Sequence, residues 1–402
     1  MEKSKKSLSL DEALEKINDV CYKLETESLN LFEAMGRVLA ENVFARECLP
    51  PFDRATFDGY ALFSGDTKEI DKIGKEFFVL EEIPAGSVPT KEVKNSFCSK
   101  ILTGAPIPKG ADCVIPFEKV EILEDRIKVF EEIKSGQFIS TKGNLIKENQ
   151  PLAEKGEVLS PNVLSILASG GIYQIKVFKK LKIGVISTGS EVLPPGVPYV
   201  NGKIRNSSQF YLIGLKNLGF DVKYYGICDD DLEEISSKIN DAFFECDVVV
   251  TTGGVSVGTY DLTEEAALSL GGTVLIEKLS FRPGTAFLFS KIKEKYLVGL
   301  SGNVGSAYTD LYLFCLPFLK KLSGQRDFMP KKEKLMLKES VFNKGRSPRF
   351  EKCKVLVKDG EILAEEISRK NIIEEKNCKF LLFIPPKTEI KKGQLGEGFF
   401  IE

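Results

Sequence analysis

The chain has 402 residues and a formal net charge of −2, so it exceeds one ordinary core and gives no polyelectrolyte signal for nucleic acid. Hydrophobic residues make up 43% and charged residues 28%, the balance of a folded globular protein. It contains no histidine, which excludes Ser-His-Asp and Cys-His catalysis and His-ligated zinc. Carboxylates, lysine and arginine, hydroxyls, backbone amides or a hard cation remain for any chemistry.

Taken in chain order, residues 7–47 read as helical. Leu10, Ala13, Leu14 and Ile17 form one apolar stripe, and Leu31, Ala34, Met35, Val38 and Leu39 another. The charged start DEALEKI, in place of an apolar leader, predicts a cytoplasmic protein. Two prolines in PPFDRATFDGYAL (50–62) break the pattern. Short apolar runs with Gly and Pro then predict a β-rich domain over 48–143. A helix at 161–170 and a strand at 172–178 follow, so 7–47 and 144–178 are expected to form a discontinuous helical linker domain.

Residues 179–325 have a different texture. Continuous apolar strands (LKIGVIST, FDVKYYGIC, CDVVVTTGG, TVLIEKL) alternate with helical patterns, which predicts βαβ units and a mainly parallel sheet covered on both faces. A last helix spans about 304–321. Residues 329–402 return to short β runs with a hairpin signal at Asp359-Gly360, predicting a C-terminal β domain like a small barrel. The nine cysteines include no CxxC pair and fit reduced thiols. The longest apolar run, 311–319, is too short to span a bilayer, so no membrane partner is expected.

Ligands of an open parallel sheet bind beyond the carboxyl ends of its strands. The first such strand ends at Glu191, the second at Asp229–Asp231, and the third in TTGGVSVGTYD with Gly253, Gly254, Ser256 and Asp261. Paired glycines let backbone N–H groups approach a phosphate, and acids beside a phosphate need a bridging cation, so Mg²⁺ is implied. Asp261 with Glu264 equally fits a helix capping box, and Asn206 with Gln209 reads as a cap. Lys278 and Arg282 follow the next strand and are candidates for holding an oxyanion. Gly302, Asn303 and Ser306 open the last helix, where amides and hydroxyls can face an anion.

These segments resemble, in order along the chain, the molybdopterin molybdenumtransferases, a family that includes MoeA and the E domain of gephyrin. PPFDRATFDGYAL resembles the family's PxFDxSAxDGYA, LTGAPIPKGADCVI its TGAPxPxGADxVV, IGVISTGSEV its VAxxSTGDEL, and DVVVTTGGVSVGTYD its ADVVxSSGGVSVGxxD. The resemblance implies a homodimer of four-domain subunits with a molybdopterin-binding α/β domain and a site completed by the partner chain. It implies insertion of molybdate, or a related oxyanion, into adenylylated molybdopterin with release of AMP, assisted by Mg²⁺. Carried over by position, Asp58, Thr103, Glu191, Asp230, Asp261 and Lys278 fall on site positions, with Glu191, Asp230 and Asp261 as metal ligands; the neighbouring Asp231 fits the second of these acids equally well. The adenylyltransferase of the same pathway is an implied partner. Asn144 stands where relatives have an aspartate, Arg282 and Thr285 where they have lysines, and Ser301 and Val304 where they have prolines. The alternatives are a non-catalytic homologue that binds the pterin nucleotide or a protein, and a molybdopterin adenylyltransferase.

Overall fold

The structure is a computed structural model and describes residues 7–20, 22, 24–70, 73–255, 262–368 and 371–401. Its centre is a seven-stranded sheet: β1 (Ser7–Leu8), β2 (Lys182–Thr188), β3 (Asp221–Cys228), β4 (Val248–Thr252), β5 (Thr273–Leu279), β6 (Ala286–Ile292) and β7 (Lys295–Leu300). The order across the sheet is β1-β5-β6-β7-β4-β2-β3. The pairs β1/β5, β4/β7, β2/β4 and β2/β3 are parallel, and only the β5/β6 and β6/β7 pairs are antiparallel. The expected mainly parallel sheet is therefore present. It is covered as the continuous apolar strands require. One face packs on helix α1 (Leu10–Asn18) and on the rod formed by α4 (Val304–Asp310), a π-helical turn (Leu311–Cys315) and a last α segment (Leu316–Leu322). The other face packs on α2 (Leu232–Glu245) and α3 (Leu262–Ser269).

The first apolar stripe forms α1, started by a capping box in which Ser9 accepts from Glu12 N–H and Glu12 accepts from Ser9 N–H. Its buried Leu10, Ala13, Leu14 and Ile17 join the core of the α/β unit, the Leu and Ile side chains contributing about 1.5–3 kcal/mol each. The second stripe is not a helix. Thr26–Asn30 is a strand paired antiparallel with Gln174–Phe178, and Leu31–Glu33 is a single 3₁₀ turn. Gly36 then adopts φ +70°, which ends any helix. Ala34 and Leu39 are buried against Leu159, Leu167 and Val177, but from irregular chain, so their helical spacing reflects burial alone.

Residues 59–129 supply a six-stranded sheet in the order Cys113–Pro116, Gly59–Leu62, Phe97–Ile101, Lys75–Ile83, Arg126–Val129, Val120–Ile122. At the other end β8 (Lys332–Leu337), β9 (Arg349–Lys358), β10 (Glu361–Glu366), β11 (Phe380–Ile384) and β12 (Leu395–Phe400) close into a barrel in the order β8-β10-β9-β11-β12. The Asp359-Gly360 turn joins β9 to β10 with φ of +51° and +82°, as a two-residue hairpin of its type requires. No helix among the described residues is long and apolar enough to cross a membrane.

Candidate functional site

The carboxyl ends of β2, β3, β4 and β7 open on one cleft of about 440 Å³, lined by Thr188, Gly189, Glu191, Asp230, Gly253 and Gly254, with Ser301, Gly302 and Asn303 opposite. Two of its walls are tied together reciprocally. Ser190 N–H donates to Asp230 Oδ2 at 3.0 Å, and Asp230 N–H donates to Ser190 Oγ at 3.1 Å. This clamp brings Glu191 and Asp230 to the same end of the cleft. The neighbouring Asp231 does something else: it caps α2, accepting from Glu234 N–H at 2.9 Å.

The glycine turn is built by contact with β2. Gly253 and Gly254 have φ of +95° and +69°, and a Cβ on Gly253 would stand 2.5 Å from the Thr188 carbonyl oxygen. One expectation is corrected here. The Gly253 N–H is not offered to a ligand, because it donates to the Leu300 carbonyl at 3.0 Å and so locks the turn to β7. The Gly254 N–H has no partner among the described residues and is left for the cleft. Ser256 and Asp261, also expected here, lie outside the described residues.

Beneath the cleft, Asn206 is a hub as well as a cap. Its Oδ1 accepts from Gln209 N–H at 3.4 Å, while Nδ2 donates to Ser187 Oγ at 2.8 Å and to the Tyr224 hydroxyl at 3.0 Å. Thr252 Oγ1 donates to the same Ser187 oxygen at 3.3 Å. Ser187 and Thr252 are the residues from which the two lining turns depart.

A second cleft of about 890 Å³ adjoins the first, the two sharing Ala286 and Ser301 in their walls. It lies between the α/β unit and the barrel. Arg282 N–H donates to the Pro348 carbonyl at 2.9 Å and Phe350 N–H to the Arg282 carbonyl at 2.8 Å, with the Phe281 and Phe350 rings packed edge to face at 5.1 Å. This stitch lays the 282–285 loop along the 343–349 loop of the barrel. The lining includes Arg282, Ser306, Lys344, Arg346 and Arg349. Arg349 is neutralised by buried Glu351, 2.5 Å away. Arg282, Lys344 and Arg346 have no ion pair among the described residues. Thr285 turns its hydroxyl inward to the Phe281 carbonyl at 3.0 Å.

Glu191, Asp230, Gly253, Gly254, Gly302 and Asn303 therefore meet in the first cleft, and Arg282 and Ser306 in the second. Lys278 lies on β5, paired with Ser7 and Ala286, and lines neither cleft. Asp58 and Thr103 lie on the six-stranded lobe, exposed, with the Asp58 carboxylate accepting from Thr103 N–H and Oγ1 at 2.7 Å each. Those two bonds, the backbone one first, hold the Asp58 carboxyl below its usual range. No cleft residue of the same chain is among its partners. The barrel cations Lys344, Arg346 and Arg349 were not anticipated. Nothing in the run KGRSPR marks it as part of a site, and only the fold shows that it faces Arg282.

Residues 8–171 match the MoeA N-terminal region (domain I and II), and residues 184–321 match the probable molybdopterin binding domain. A molybdopterin molybdenumtransferase of Staphylococcus aureus (strain COL) is 34% identical over 349 residues, 86% of this chain and 83% of the relative. The chain belongs to the molybdopterin molybdenumtransferase family. A Staphylococcus epidermidis molybdopterin molybdenumtransferase is 35% identical over 339 residues, 84% of this chain and 81% of the relative. Among solved structures, a molybdopterin biosynthesis moeA protein from Pyrococcus horikoshii OT3 superposes with a TM-score of 0.83 at 30% identity, covering 98% of this chain and all of the other.

Proposed function

We propose that the double cleft catalyses insertion of an oxyanion, molybdate or a close relative, into adenylylated molybdopterin, releasing AMP. One observation carries the reading: an acidic half with a glycine turn and a cationic half share Ala286 and Ser301 as a common wall. The phosphate end of the substrate lies against Gly254 and Gly302. The oxyanion lies by Arg282, Lys344 and Arg346, and the dithiolene reaches it across Ser301. Arginine at 282 and 346 offers planar forks that match oxyanion edges.

The donor set of the acidic half suits Mg²⁺. Among the described residues no three acids form a ready-made metal cluster, but Mg²⁺ takes one or two carboxylates and completes its shell with water and substrate phosphate. Glu191 and Asp230 supply those carboxylates. The ion would neutralise charge on the phosphates. Meanwhile Gly254 and Gly302 orient the phosphate end, and Asn206 holds both turns in place.

The exposed Asp58–Thr103 pair supports a homodimer in which the partner's Asp58 and the partner's Thr103 complete this site. Reduced thiols support a cytoplasmic setting, since all eight described cysteines are free. The test is to incubate the purified protein with adenylylated molybdopterin, Mg²⁺ and molybdate or tungstate and to follow AMP. Oxyanion-dependent AMP release is expected. Tight pterin binding with no AMP under either oxyanion would leave a binding protein in place of an enzyme.

A further inference from the structure

Behind the wall of the cationic half lies a carboxyl that neither half uses. Asp310 ends α4 and is fully buried, and neither of its carboxyl oxygens has a hydrogen-bond partner. It fills the space that Gly284 leaves by having no side chain. A Cβ on Gly284 would stand 2.0 Å from Asp310 Oδ1, and Gly284 itself lines the cationic half. The Gly284 backbone therefore stands between this carboxyl and the cationic half. The helix changes to a π-helical turn directly after it, at Leu311–Cys315.

An unpaired carboxylate in such a place bears a heavy desolvation penalty, so the acid keeps its proton. Burial holds the Asp310 carboxyl well above the usual carboxylate range. The ionisable groups on the elements around it give no relief. Cys315, on its own rod, is raised by burial and by Asp310 itself. Arg282 points from the packed loop into the cleft lining, and Arg349 is matched by Glu351. Lys344 and Arg346 belong to the barrel loop of the same cleft.

We propose that Asp310 is the electrostatic gate of the oxyanion cleft: as a neutral acid it lets the cations of the cleft act on the anion, and on ionising it expels the anion. The proposal rests on the oxyanion reading of the cationic half. One negative charge just behind the wall weakens a bound dianion by about tenfold or more at an effective dielectric of about 20. Linkage makes the effect reciprocal: anion binding keeps the proton on Asp310, so binding at alkaline pH takes up a proton.

The experiment titrates the full-length protein with molybdate, and with sulfate as a redox-inert dianion, by calorimetry from about pH 6 to about pH 9.5 in buffers of differing ionisation heat. Wild type is expected to lose about tenfold in affinity across the range with proton uptake at the alkaline end. Asp310→Asn should lose the proton uptake and hold its affinity across the range. Asp310→Leu, of similar size and without polar atoms, serves if the Asn variant does not fold. Infrared difference spectra between wild type and variant read the protonated carboxyl directly. Parallel affinity profiles, or an Asp310 ionised at neutral pH, overturn the gate while leaving the oxyanion cleft standing. A protonated Asp310 with no anion binding at any pH overturns the oxyanion reading, and the gate with it.

Discussion

Asp310 makes a prediction about stability that needs no ligand. Its folded-state pKa lies above the unfolded value of about 3.9, so the folded chain holds a proton that the unfolded chain releases. The associated stability is full below the unfolded pKa and is lost as pH rises through the folded pKa. Urea unfolding of wild type and Asp310→Asn should therefore nearly converge near about pH 4, and the gap should move in favour of Asn as the pH is raised. A gap independent of pH would refute this. Gly253 carries a second residue-scale prediction. Alanine there meets both a left-handed φ and the Thr188 carbonyl, so Gly253→Ala should lower stability by about 1–3 kcal/mol and reduce AMP release further than the melt explains. At this scale the sequence was legible where position alone decides: Glu191 and Asp230 follow strand ends, and strand ends face the cleft. It was silent about Asp310, which sits about two helical turns past an ordinary-looking cap and owes its character to burial behind Gly284.

The loop that brings the barrel's charges to the cleft hangs on one side chain. Asn343, 2% exposed, donates through Nδ2 to the carbonyls of Ser347, Ile384 and Pro385 at 2.9, 3.1 and 3.0 Å, and accepts from Gly345 N–H at 2.9 Å. Asn343→Ala leaves buried carbonyls unpaired and should destabilise the barrel by about 2–3 kcal/mol. It should also raise the oxyanion concentration needed for AMP release while sparing pterin binding, which calorimetry separates. Asn206 plays the corresponding part under the acidic half. Asn206→Asp keeps the shape but loses the donors to Ser187 and Tyr224, and should weaken nucleotide binding with little change in oxyanion binding. Periodicity foretold the sheet, α1 and the last helix because each is long and buries a regular face. It misread 31–39 because residues in a loop can reach a core at helical intervals without forming a helix.

The whole molecule sets Asp58 and Thr103 on a lobe whose residues line neither cleft, although the sequence resemblance implies a site role for both. If a second copy supplies them, sedimentation should show a dimer at working concentration. Mixing Asp58→Asn subunits with Glu191→Gln subunits should then restore part of the AMP release that each variant lacks, because a mixed dimer holds one intact site. No restoration after confirmed subunit exchange would sink the shared site. Domain boundaries in the sequence follow composition, and composition changes sharply near residue 180. The joint between the 282–285 loop and the barrel escaped because its stitch is a pair of backbone bonds, which no side-chain pattern announces.

The opening strand β1 and helix α1 belong to the central sheet, yet about 160 residues of other structure separate them from β2. During synthesis that segment must wait for its pairing partner until β5 is made. Closing so long a loop is slow. The waiting stretch is short and begins with a capping box, so α1 has a local structure to hold in the meantime. The α/β unit is thus expected to close late in biogenesis, its edge completed by a segment made well before β2.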